Sequence, residues 1–109
     1  MNTVNLIGRL TESPQTKYPA NENEVTVTHY TLAVNTWAKN KKETAYIRCT
    51  AFGKLAELAD SYFQKGVKIA VSGRIKTGSY EKDGQKVYTT EIIVQSQEFA
   101  ESRKQTAMA

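Results

Sequence analysis

Apolar and polar positions alternate with a period of two along most of this chain, the pattern of strands that bury one face. Over residues 2–10, Val4, Leu6 and Leu10 share one face, and Thr3, Asn5, Ile7 and Arg9 share the other. Gly8 interrupts the inner row, where a glycine marks a bulge or the close approach of another backbone. Residues 11–24 are polar and hold Pro14 and Pro19, which predicts a loop or a short ragged hairpin. A β-rich run covers 25–37. Its apolar phase begins on odd positions (Val25, Val27) and moves to even ones (Tyr30, Leu32, Val34), which predicts a bulge near Thr28–His29. Residues 38–43, AKNKKE, read as a polar connection. In the strand that follows, 44–52, Tyr46, Arg48, Thr50 and Phe52 lie on one face and Ile47, Cys49 and Ala51 on the other.

The period changes once. Leu55, Leu58, Ala59, Tyr62 and Phe63 have the spacing of a buried helical stripe, so a helix is predicted over 53–65, with Gly66 as a left-handed C-cap. Alternation then resumes, with Val67, Ile69, Val71 and Ile75 on one face and Lys68, Ser72, Arg74, Lys76 and Tyr80 on the other. Asp83-Gly84 is a strong two-residue hairpin signal, and the return strand 87–94, VYTTEIIV, is rich in β-branched residues. Three strands, a helix and a two-stranded hairpin form the chain order of a mainly β domain. That is the chain order of the OB fold, a five-stranded Greek-key barrel with one helix between strands 3 and 4, although other small α+β folds can produce the same order. The barrel is assigned to residues 1–99. Residues 100–109 carry no strand pattern and are expected to be a short disordered tail.

Composition narrows the chemistry. The chain has 109 residues, the size of one domain, and a net charge of +4. Residues 37–54 hold Lys39, Lys41, Lys42, Arg48 and Lys54 against one acid, Glu43, so this stretch carries the whole excess. A basic segment of this kind suits a polyanion or an acidic surface. No apolar run reaches membrane-spanning length and no leader pattern opens the chain, so a cytoplasmic protein is expected. The single cysteine, Cys49, excludes an internal disulfide and a cysteine-cluster zinc site, and alternation places it inward, where a thiol is inert. The single histidine, His29, has no second histidine to work with and reads as a packing residue of the barrel. GRIKTG lacks the spacing and the final Lys-Ser/Thr of a phosphate-binding loop. No enzyme, no metal and no cofactor is expected.

Binding chemistry fits better. A single nucleic-acid strand offers a line of phosphates and unstacked bases, which proteins grip with a basic groove and interleaved aromatics. Tyr46, Arg48 and Phe52 set aromatic, cation and aromatic along one strand face. Trp37 stands at the end of the preceding strand, and Tyr80 lies past Arg74 and Lys76 on a third.

The segments NTVNLIGRLTESPQTKY, LAVNTW, RCTAFGKLAELADSYFQKG, SGRIKTGSY and YTTEIIV, in this order, resemble the bacterial single-stranded DNA-binding protein family over residues 1 to about 99. The resemblance implies an OB-fold protomer, assembled as a homotetramer, that coats single-stranded DNA in replication, recombination and repair. It places the base-stacking aromatics at Trp37, Tyr46, Phe52 and Tyr80. Positions 46 and 80 are often Trp in the family and are Tyr here, which implies a smaller stacking face. Phosphate contacts are carried over to Arg9, Lys17, Arg48, Lys54, Arg74 and Lys76, with Lys82 and Lys86 on the last hairpin within reach of DNA. Full-length members end in an acidic tip that docks on repair and replication enzymes. This sequence ends at Ala109 after SRKQTAMA, so, taken as complete, it is expected to cover DNA without recruiting partners through such a peptide. Short paralogues and phage or mobile-element versions share that form, and the setting implied is the nucleoid. The competing reading is a protein-interaction module, an OB-fold accessory subunit of a replication-restart complex.

Overall fold

The computed structural model describes residues 1–101. From residue 102 onward, the tail expected over 100–109 lies outside the described residues. The elements are β1 (Val4–Leu10), β2 (Gln15–Lys17), β3 (Val27–Ala38), β4 (Lys41–Phe52), α1 (Lys54–Tyr62), β5 (Lys68–Lys82) and β6 (Gln85–Phe99). Strand neighbours run β1-β5-β6-β4-β3, and β3 pairs back to β1 at Arg9↔Ala33 and Leu10↔Leu32, closing the barrel. The closing β4–β6 ladder is parallel, with Cys49 beside Ile92 and Thr50 beside Ile93. These are five barrel strands in Greek-key order with the helix between the third and the fourth, the expected OB fold. β2 is a three-residue addition on the edge of β3, the short hairpin expected between 11 and 24.

The interior is built from the alternating rows. Leu10, Tyr30, Leu32, Cys49, Ile69, Val71, Ile92 and Val94 are buried together, and α1 closes one end with Ala56 and Ala59. Fully buried aliphatic side chains such as Leu32 and Ile69 each contribute roughly 1.5–3 kcal/mol. Phe63, just past the helix, meets Tyr30 and Phe99 edge-on at centroid distances of 6.1 and 5.3 Å. Tyr30 satisfies its hydroxyl by donating to Gln97 Oε1 at 2.8 Å.

Burial pushes the Cys49 thiol up to about 12, the direction that removes thiolate at neutral pH. Cys49 should therefore stay unmodified by a disulfide-exchange reagent in the native protein and react at once in denaturant. Equal rates in the two conditions, followed by absorbance of the released thiolate, would contradict this placement.

Three expectations about local structure are corrected. The β3–β4 ladder runs without interruption from Val27↔Phe52 to Ala38↔Lys41, so there is no bulge at Thr28–His29. The inward phase stays even because Thr26 and Thr28 take the inner positions, while Val25 and Val27 face out or lie half-buried. Thr28 is fully buried and tolerated there because it donates to the Gln15 carbonyl and bonds Thr16 Oγ1 at 2.7 Å. The bulge lies instead on β6. Ser72 pairs with Ser96 and Gly73 with Val94, leaving Gln95 unpaired, and the inner row passes from Ile92 and Val94 to Gln97 and Phe99. Next, AKNKKE is mostly strand: its turn is Lys39–Asn40 alone, with φ of 51° and 63°. Finally, α1 ends at Tyr62, and Gly66 (φ 90°) serves a later turn in which its N–H donates to the Leu10 carbonyl at 2.8 Å.

The Asp83–Gly84 turn forms as expected, with φ of 51° and 79° between the paired Lys82 and Gln85. Gly8 marks a close approach: a Cβ there would lie 2.6 Å from the Ala33 carbonyl oxygen. The chain stays tied down to Glu101, since Ala100 N–H bonds the Lys68 carbonyl and the Glu101 carboxylate accepts from Lys68 N–H.

Candidate nucleic-acid interface

Register decides which side chains share the outer surface of β3 and β4. Paired residues in a ladder point the same way, so the outer row of β4 (Lys42, Thr44, Tyr46, Arg48, Thr50, Phe52) meets Trp37, Asn35, Ala33, Thr31, His29 and Val27 of β3. The ten steps from Lys42 to Phe52 span roughly 33 Å at the usual strand rise. Along that line stand Trp37 beside Lys42, then Tyr46, Arg48 and Phe52. The ladder extends sideways at both edges. Lys17 on β2 pairs with Val27, which pairs with Phe52. On the other side Thr50 neighbours Ile93, which pairs with Arg74, and Lys76 pairs with Glu91. Arg74 and Lys76 thus lie on the same face as Arg48.

The aromatics on this surface are not core. Trp37 is 71% exposed, Tyr46 70%, Tyr80 53% and Phe52 42%. Phe52 is the most covered because it precedes Gly53 and the helix, and Lys54 begins α1 two residues later. Tyr80 stands farther out, on the long β5–β6 arm. Its position, in phase with Arg74, Lys76 and Lys82, puts it on the face that continues from β4.

Two basic residues are placed differently from the rest. Lys86 pairs with Glu81, so it lies on the opposite side of the arm from Tyr80, with its Nζ 5.6 Å from the centre of the Tyr88 ring. Arg9 lies on the outer side of β1, in register with Ala33 and through it with Tyr46, but it is partly committed. It donates to the Gly66 carbonyl at 2.9 Å and forms an ion pair with Glu101 at 3.3 Å.

Two residues in this region are not singled out by the sequence pattern as interface residues. Tyr88 is 74% exposed beneath Lys86, and the alternation of the return strand is the signal that it faces away from Val87. His29 lies on the outer face rather than packing the barrel interior, half-buried between β2 and β4. Its Nδ1 is 2.9 Å from Thr50 Oγ1, and Thr50 donates to Glu91 Oε2 at 2.8 Å. Desolvation holds the imidazole below the ordinary histidine range, Arg48 pushes the same way, and Glu91 opposes them. Thr50 itself is buried although it faces outward, because these two partners cover it. Among the described residues there is no group of three His, Cys, Asp or Glu placed to hold a metal, and no helix long and apolar enough to cross a membrane.

A closed five-stranded OB barrel with cations and bare aromatics along one continuous face belongs to the class of β-barrel nucleic-acid binders. Comparison with known proteins fixes the family within that class. Residues 1–100 match the Single-strand binding protein family, and the chain belongs to it. A single-stranded DNA-binding protein of Clostridium perfringens is 48% identical over 103 residues, covering 94% of this chain and 67% of that protein. Single-stranded DNA-binding protein 3 of Listeria innocua is 42% identical, over 98% of this chain and 68% of its own length. For single-stranded DNA-binding protein 1 of Streptococcus pyogenes the identity is 40%, over 98% of this chain and 84% of the relative.

Proposed function

We propose that this chain binds single-stranded DNA without regard to sequence and coats it during replication, recombination and repair. The observation that carries the reading is the unbroken outer surface on which Trp37, Tyr46 and Phe52 alternate with Arg48, Lys17, Arg74 and Lys76. Exposed rings supply stacking planes that every base can use, and the cations track the phosphates, so affinity needs no base-edge code. Tyr80 and Lys82 extend the path along the β5–β6 arm, and Lys54 flanks Phe52. Arg9 joins the path by exchanging Glu101 for a phosphate.

The chain acts as a homotetramer, or at least a dimer. The β1–β3 ladder pairs only Arg9 and Leu10, so the edge from Val4 to Ile7 is open to pairing with a second copy, and Ile7 is exposed on the outer face. Residues 1–99 form the binding domain.

The test is titration into a labelled oligo-dT of a few tens of nucleotides, read by fluorescence anisotropy, with duplex and oligo-U controls. Tight binding to dT that is far weaker on duplex is expected. The logarithm of the affinity should fall with the logarithm of salt concentration with a slope of about 0.7 per phosphate neutralised. Weak binding to all three, erased by salt, would sink this reading in favour of the interaction-module alternative.

A further inference from the structure

His29, Thr50 and Glu91 form a hydrogen-bonded line across β3, β4 and β6 in the middle of the binding surface, and its proton inventory is determined. A carboxylate can only accept, so the one Thr50 hydroxyl hydrogen goes to Glu91. Thr50 must then accept from His29, which assigns the imidazole proton to Nδ1 and leaves Nε2 as a bare acceptor. Adding a second proton at Nε2 disturbs nothing inside this line, because Nδ1 goes on donating to Thr50. It turns the outer nitrogen from acceptor into donor and gives the ring a positive charge whose counter-charge, Glu91, is already connected through Thr50.

His29 also opens onto a small cleft of about 60 Å³ that it lines with Arg48, Thr31, Gln15 and Glu12. We propose that His29 and Arg48 together form a phosphate subsite of the interface, filled by a backbone phosphodiester of the bound strand with uptake of one proton from solvent at His29 Nε2. This rests on the single-strand reading above. The charged groups facing His29 from each neighbouring element are Glu12 before β2, Lys17 on β2, Arg48 on β4 and Glu91 on β6, with Lys76 of β5 opposite Glu91. In the free protein desolvation, with Arg48 beside it, disfavours the charged ring, and Glu91 opposes them. A phosphate between the two side chains cancels the repulsion from Arg48 and adds its own attraction, so the bound-state pKa rises above the free-state one. The sign follows from linkage: affinity is flat at high pH, grows as pH falls through the bound-state pKa, and levels off below the free-state pKa. One unit between them gives up to about tenfold tighter binding.

The experiment measures dT affinity at constant ionic strength from about pH 8 to about pH 5.5, the window in which histidine titrates. The wild-type protein should gain severalfold on acidification, and His29→Gln should lose that gain. As the chain has one histidine, the ring proton signal titrated by NMR with and without saturating dT reports the same event without a variant. Its midpoint should move up on binding. Wild-type affinity that is flat with pH, an equal gain in His29→Gln, or a midpoint that stays or falls would overturn the subsite. Absence of dT binding at pH 8 would instead refute the single-strand reading itself.

Discussion

Replacing Tyr46 by Ala is expected to weaken binding to oligo-dT by roughly 1–3 kcal/mol per base stacked, about five- to a hundredfold or more, with thermal stability nearly unchanged. The asymmetry follows from where the ring stands. Tyr46 faces outward opposite Ala33, which is too small to cover it, and 70% of its surface is open. The interior is filled from the other side of the strand by Ile47, Cys49 and Ala51, so truncation opens no cavity. An exposed change of this kind stays within about 0.5 kcal/mol of the parent in stability. Phe52→Ala sharpens the comparison, because that ring is more covered and borders the helix. It should lose both affinity and some stability. Anisotropy titrations and melting curves on the two variants separate these effects. Tyr46→Ala that melts well below the parent while binding dT normally would return this ring to the fold and remove it from the interface.

Strand parity makes much of this surface legible in the amino-acid sequence, and the places where it fails have physical causes. Where one face of a strand is buried, alternation is a strong signal, and it puts Arg48, Phe52 and Arg74 on the outer side, where they lie. At Lys41–Glu43 neither face is buried, so hydrophobicity carries no phase and a strand reads as loop. At Thr26 and Thr28 the inner positions hold threonines, the Thr28 hydroxyl satisfied by Gln15 and Thr16, and Val25 and Val27 suggest the opposite phase. That single inversion also misplaces His29, since its neighbours set its side. The β6 bulge has no apolar signature, because Gln95 and Ser96 are polar on either register. Gly66 does adopt positive φ as a C-cap glycine would, but tertiary bonding to Leu10 uses it after the helix has already stopped.

Gly73→Ala is expected to produce a large loss of stability for a change of one methyl group, about 3 kcal/mol or more. Gly73 faces the interior of the barrel where β5 crosses β6, immediately beside the unpaired Gln95. A Cβ at this position would run into the Ile93 carbonyl oxygen and come within 3.0 Å of Ile92 Cγ2. The obstructing atom is backbone, held in the sheet from both sides: Ile93 pairs with Arg74 on β5 and lies beside Thr50 on β4. No rotamer change can relieve the overlap, so the β5–β6 ladder must separate or shift. Since Arg74 and Lys76 follow directly, the distortion propagates into the basic part of the interface. Gly78→Ala provides the internal control. Its nearest neighbour is the Thr89 hydroxyl at 3.2 Å, the far end of a movable side chain on an exposed arm, and a change within about 1 kcal/mol is expected. Urea denaturation of both variants at equal protomer concentration decides the matter, because any oligomer makes stability depend on concentration. A Gly73→Ala midpoint matching that of Gly78→Ala would mean that the barrel yields at this crossing, and the tight β5–β6 contact would then not be what fixes the register of the arm.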